Sequence, residues 1–236
     1  MARKPRDAGG TSRPPASPDP ASSAASPAPA PTVADDASDA APPAVDRRRM
    51  FWGGLGVVAL LGLHLALAER SLLAENPTID EVVHMPAGLT YWDLRTFKLY
   101  HHNPPLVKMV AALPVWLAGP VLEPLYQRRA WSDRDPSQLN FSQDFAYVNA
   151  DRYFELFDLA RMVMPLFSIL GGVVVFAWSS RLYGALGGLL SLALWVLCPN
   201  VLAHGRLVTS DLGSTALGAG ATYLFWRYLR ATAGGA

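Results

Sequence analysis

Phe51 to Ala68 is an 18-residue run whose only polar side chain is His64. A bilayer core needs about 20 apolar residues of helix at 1.5 Å each, so this run is long enough to cross it. Three further apolar runs follow: Met162–Ser179, Leu186–Leu202 (broken by Pro199-Asn200) and Leu212–Tyr228, the last rich in Gly and Ala. Inside lipid every backbone polar group must find its partner within the segment, so runs of this kind are helical. Small residues such as Gly213, Ala216, Gly218 and Gly220 favour close helix packing there. The expected fold class is an all-α integral membrane protein.

Leu106–Leu122 decides the topology. It is apolar, but Lys108, Pro114, Gly119 and Pro120 interrupt it, and a lysine at mid-membrane costs about 2.5–3.5 kcal/mol. If it stays in the interface, four spans remain, at about 51–68, 162–179, 186–202 and 212–228. Arg47–Arg49, Arg181, Arg227 and Arg230 then share one face, as the positive-inside rule requires. This places the N-terminus in the cytoplasm, in what is expected to be a cell inner membrane. It also makes residues 69–160 one large external loop, with interfacial helices at about 79–95 and 106–122.

Residues 1–49 are a different kind of chain. Positions 2–46 hold ten of the 20 prolines and no Leu, Ile, Phe, Trp or Tyr. Such a stretch cannot bury enough apolar surface to offset its ordering entropy, so a disordered cytoplasmic tail is expected, joined to a membrane domain over 50–236. No apolar run follows the start closely enough for a signal peptide. The single cysteine, Cys198, excludes an internal disulfide and a cysteine-based zinc site. A net charge of +1 gives no sign of nucleic-acid binding.

The chemistry concentrates in Asn76–Lys108, NPTIDEVVHMPAGLTYWDLRTFKLYHHNPPLVK. Thr78 and Glu81 have capping-box spacing, which starts a helix near Ile79. Pro86 should kink or shorten that helix, and Pro105 is placed to open another. Asp80 could act as a general base for a hydroxyl or amine at a membrane surface. On helix chemistry alone, Asp80 and Glu81 would simply favour the positive helix end and complete the cap. Lys108, Arg161 and Arg206 sit at expected outer ends of apolar helices, where they either snorkel to headgroups or clamp a phosphate. His84, His101 and His102 could join the acids around a divalent metal, although no compact ligand signature is present. His64 reads as a packed or pore-facing histidine. Tyr91, Trp92, Trp131 and Trp195 read first as interfacial aromatics, and Tyr91 and Trp92 could also stack on a sugar ring.

The order Asp80-Glu81, Asn103-Pro104-Pro105-Leu106-Val107-Lys108-Met109, Ala160-Arg161-Met162 and Arg206-Leu207 with Asp211 resembles the protein O-mannosyltransferase family. It also resembles the bacterial lipid-carrier-dependent transferases of the same GT-C fold, including aminoarabinose transferases acting on lipid A. The likeness covers about residues 50–230. It implies transfer of one sugar from a polyprenyl-phosphate carrier to a protein or glycolipid acceptor on the non-cytoplasmic face. Asp80 would be the catalytic acid of the first loop, with Glu81 assisting acceptor binding. Lys108, Arg161 and Arg206 would lie near the carrier phosphate. His84, His102, Asn103 and Asp211 would contact substrate. The family implies no certain cofactor, with a divalent metal possible. Two departures stand out: Asn103 replaces the family's histidine, and His84 falls three residues after Glu81 where the mannosyltransferases place a histidine two after. Family members run to about twice this length, so the chain is expected to be an N-terminal part.

Two other classes compete. One is a non-catalytic membrane subunit or carrier-binding protein derived from such an enzyme. The other, weaker, is a piece of a proton-coupled transporter using His64 and Asp80.

Overall fold

The computed structural model describes residues 47–72, 75–132 and 136–233. The expected disordered tail lies outside the described residues up to position 46. Its last three residues, Arg47–Arg49, instead begin the first helix, α1 (Arg47–Leu72). The described residues form helices and connecting turns, with no strand among them.

Among the described residues, two stretches are long and apolar enough to cross a membrane, Phe51–Arg70 and Ala150–Val196. Along α1 the large side chains Phe51, Trp52, Leu55 and Val58 are exposed, which water would penalise and lipid would not. The second stretch is not one rod. A 3-10 turn (Ala150–Arg152) leads into α7 (Tyr153–Met162), and α8 (Pro165–Val196) follows after a break at Val163-Met164. Within α8, Gly184 has φ 77° and ψ 177°, a backbone conformation open essentially to glycine alone. The chain reverses there. Gly188 lies against Ser180 and the Phe176 carbonyl, Gly172 against Leu192, and Trp195 Nε1 donates to Ser168 O at 2.9 Å. The expected runs 162–179 and 186–202 are therefore the two arms of a hairpin. The second arm stops at Val196, because Pro199 holds Cys198 in an extended conformation and opens a separate short helix, α9 (Pro199–His204).

α1 lies between the arms, near Leu192's arm at Gly56–Leu189 and near the other at Leu61–Gly172. His64 is fully buried there, with Nδ1 3.1 Å from Val196 O and Nε2 2.8 Å from Ser168 Oγ. It is a packed histidine, bonded to both arms. α10 (Ser210–Ala233) runs along the first arm, with Gly213 against Phe167 and Tyr223 against Trp178. One end of this set carries His64, Ser168, Val196 and the start of α10. The other carries Gly184, Arg181 and the end of α10.

The segment between α1 and α8 is largely helical: α2 (Ile79–Asp93), α3 (Pro105–Leu117), α4 (Glu123–Tyr126), α5 (Arg129–Ser132), α6 (Gln138–Val148) and α7. α2 ends two residues before the expected boundary, and the left-handed residues Arg95 (φ 52°) and Tyr100 (φ 50°) shape the turn that follows. α2 runs through Pro86 for 15 residues, so the proline neither ends nor shortens it. α3 starts at Pro105 as expected but stops at Leu117, where Gly119 (φ +66°) and Pro120 redirect the chain. α2 and α3 meet nearly backbone to backbone at Gly88, where an added Cβ would sit 2.2 Å from the Lys108 carbonyl oxygen. Leu89, Val107, Ala111, Val115, Leu125, Phe141, Phe145 and Phe157 close a buried apolar core around that contact. The expected external loop thus has its own hydrophobic core.

Candidate functional site

Glu81 is the fixed point of the site. Its Oε2 accepts the Thr78 N–H at 2.9 Å and the Thr78 hydroxyl at 3.1 Å, which closes the capping arrangement at the start of α2. Arg161, at the end of α7, grips the same carboxylate with two bonds, Nε to Oε1 at 2.7 Å and Nη2 to Oε2 at 2.6 Å. The Val208 N–H also donates to Oε1, at 3.1 Å. Glu81 is 0% and Arg161 1% exposed. Burial acts to raise the Glu81 carboxyl, but Arg161 and the two N–H groups outweigh it and hold it below the usual carboxylate range. Arg161 also donates to the carbonyls of Glu75 and Asn76, at 2.8 and 3.1 Å.

Two expectations change here. Glu81 is closed off from solvent and spent on internal bonds, and Arg161 sits inside the protein against it rather than at the outer end of a span. The break at Val163-Met164 explains the second, since it separates α7 from α8 and turns Arg161 toward α2. Together they clasp α2, α7 and the 205–209 loop.

Asp80, one residue earlier, points outward and is exposed. Beneath it lies a fixed polar floor. His84 Nδ1 donates to the Asp80 carbonyl at 2.7 Å, while Nε2 lies 3.2 Å from the Asn103 amide nitrogen and accepts from it. The same amide donates to the Tyr100 hydroxyl at 3.1 Å. Tyr100 packs edge-on against His84, centroids 4.9 Å apart. Burial holds His84 below the usual imidazole range, and Lys108 adds to this, while the Asp80 carbonyl and the charges of Asp80 and Asp211 pull back. Burial raises Tyr100, and Asp80 and Asp211 raise it further. Both acids therefore act on the same two side chains, although they are far apart in the chain. His84 is 3% exposed and meets a ligand only through its neighbours, so its expected direct contact with substrate gives way to a supporting one. Asn103 is half-buried. His102 is exposed, stacked on His101 at 4.5 Å and next to Tyr100.

Lys108 departs furthest from expectation. It is 0% exposed, packed where α3 meets α2. Its Nζ donates to the Tyr91 hydroxyl at 3.1 Å and to the Tyr100 carbonyl. The ammonium lies 5.4 Å from the Tyr91 ring centroid and 4.6 Å from that of Tyr100. Burial lowers it to about 8. It supports the floor from below and is not presented to a phosphate. Arg206 is 6% exposed and pairs with Glu75 at 2.6 Å. Asp211, in the first turn of α10, is exposed, with His204 Nδ1 3.7 Å from its Oδ2. A cavity of about 190 Å³ lies beside them, lined by Trp195, Asn200, Val201, Leu212 and Thr215.

Tyr100, Glu75 and His204 belong to the site and sequence reasoning missed them. Tyr100 stands directly before His101 and His102, and Glu75 lies in the link between the first apolar run and α2. Among the described residues no three or more His, Cys, Asp or Glu side chains are grouped to hold a metal ion. With the geometry in hand, no family model, curated protein or solved structure matches the chain.

Proposed function

We propose that this chain is a membrane glycosyltransferase of the GT-C type, which moves a sugar from a polyprenyl-phosphate carrier to an acceptor outside the cytoplasm. The observation that carries the reading is the setting of Asp80: an exposed carboxylate beside the hydrogen-bonded group of His84, Asn103 and Tyr100, two of which also feel the exposed carboxylate of Asp211. The proposed vestibule lies between the two acids. Asp80 takes the proton of the acceptor hydroxyl or amine as the acceptor oxygen or nitrogen attacks the anomeric carbon. The bond from that carbon to the carrier phosphate breaks, and its electron pair leaves on the phosphate. The clasp at Glu81 fixes the backbone that carries Asp80, which is how an enzyme holds a base in attack geometry.

The membrane part of the reading uses four crossings: α1, the two arms of α8, and α10. The arm reversal at Gly184 supports this, because it returns the chain to the end that holds Asp211. The arginines at 47–49, 181, 227 and 230 then share the cytoplasmic face. Arg206, the expected phosphate contact nearest Asp211 in the chain, is buried and paired with Glu75. Lys108 and Arg161 serve by holding the vestibule.

That all three expected phosphate-binding cations are buried in internal contacts favours one alternative, a carrier-binding subunit without catalysis. The test is transfer of radiolabelled mannose or aminoarabinose from polyprenyl-phosphate donors in native membranes. Asp80→Asn should lower transfer at least ~100-fold with expression and helix content unchanged. Near-normal turnover by that variant removes the assignment. Donor binding without transfer by the natural sequence supports the subunit instead.

A further inference from the structure

The end of the helix set remote from the vestibule carries a second arrangement that the transferase reading does not use. Trp178 on the first arm of α8 meets Tyr223 and Trp226 on α10, with ring centroids 5.9 and 6.0 Å away. Tyr223 and Trp226 stack on one another at 6.2 Å and 22°. Three arginines gather on this ladder. Arg181 Nε donates to the Tyr223 hydroxyl at 2.8 Å. The Arg227 guanidinium lies 5.9 Å from the Tyr223 ring, and that of Arg230 5.2 Å from the Trp226 ring. All three arginines are exposed. Among the described residues none of the three has a carboxylate partner. The indole N–H of Trp178 is buried and has no acceptor among the described residues.

These observations point the same way. Unbalanced guanidiniums call for an anion. Aromatic faces at a helix end suit the headgroup level of a bilayer, where one side of the ring is apolar and the other wet. A buried N–H without an acceptor is costly and is satisfied by a ligand oxygen. We infer that Arg181, Arg227, Arg230 and the indole of Trp178 form a binding site for the headgroup of an anionic phospholipid. The phosphate takes the guanidiniums, in the fork geometry that favours Arg over Lys. Its ester region lies toward the indole N–H, and the acyl chains run along the exposed apolar surface of α10 at Leu224 and Phe225. A free phosphate fits the cations but leaves the aromatic faces uncovered, which is why the lipid is favoured. The inference needs α8 and α10 to lie in a bilayer and is independent of any sugar transfer.

The test is native mass spectrometry of the full chain released from detergent micelles doped with equal phosphatidylglycerol and phosphatidylcholine. The natural sequence should retain phosphatidylglycerol at least ~tenfold over phosphatidylcholine, since each arginine favours an anionic lipid several-fold and three together reach on the order of a hundredfold. Replacing all three arginines by glutamine should abolish the preference. Trp178→Phe, which keeps the ring and removes the N–H, should weaken retention with the arginines intact. Equal retention of the two lipids, or a preference that survives the triple replacement, overturns the site. Displacement of bound phosphatidylglycerol by millimolar inorganic phosphate overturns the lipid assignment. No donor sugar enters the measurement, so a failed transferase reading leaves its outcome untouched.

Discussion

Replacing Glu81 by alanine strikes the residue on which the site geometry rests. The change leaves the Arg161 guanidinium buried without its carboxylate, and it removes the acceptor of the Thr78 and Val208 N–H groups. Breaking one side of a buried ion pair costs about 3–5 kcal/mol, and loss of a helix cap accounts for about 1 kcal/mol of that. For a chain of this size a few kcal/mol shifts the unfolding midpoint by about 10 °C. Thermal unfolding in detergent, followed by far-UV circular dichroism, reads this directly. Glu81→Leu combined with Arg161→Met should cost less than the sum of the single changes, because no orphan charge remains. The pH dependence has a definite sign. The Glu81 carboxyl is lowered in the folded state, so its stabilisation is present above the unfolded value near 4.5 and is lost as pH falls through the lower folded value. Glu81→Gln should flatten that acid limb. A midpoint for Glu81→Ala within about 2 °C of the natural chain would refute the reasoning, since so small a loss cannot come from a broken buried pair.

Three more outcomes can be measured in the same way. Lys108 is lowered to about 8 by burial, so charging it opposes folding, and stability should rise as pH climbs from about 8 toward 10, by up to about 3 kcal/mol. Tyr91, raised to about 12, and Tyr100, also raised, stay protonated across that window, so Lys108→Met should remove the slope. Gly88→Ala should cost about 1–3 kcal/mol, because its Cβ meets the α3 backbone at Lys108 and cannot push it aside without separating α2 from α3. Gly184→Ala should destabilise the α8 hairpin by about 1–3 kcal/mol through backbone strain alone, as nothing lies within 4 Å of the added methyl.

The apolar runs within Phe51–Arg70 and Ala150–Val196 were legible because long apolar helices leave a strong pattern in one dimension. Thr78 and Glu81 were legible as a cap, and Pro105 as a helix start, because those rules act over three or four residues. Arg161 was misplaced because its partner is Glu81, 80 positions away, and no local spacing reports that bond. Lys108 was misjudged for a related reason. A lysine in an apolar helix usually reaches outward, and only the close approach at Gly88 shows that this one lies under Tyr100. The core between α1 and α8 was underestimated because its helices are short and separated by proline and glycine, so none has the length that marks a buried element.

The Glu81 contacts also set an order of events on the ribosome. Glu81 is made 80 residues before Arg161 and 127 before Val208. At about 5–20 residues per second the carboxylate waits several seconds for its cation, and longer for the amide that completes it. Through that interval the N-terminal turn of α2 exists without the grip that later holds it. The start of α2 therefore stays unlocked until the 205–209 loop is made, so the piece of the Glu81 clasp that is built last is the one that closes the first.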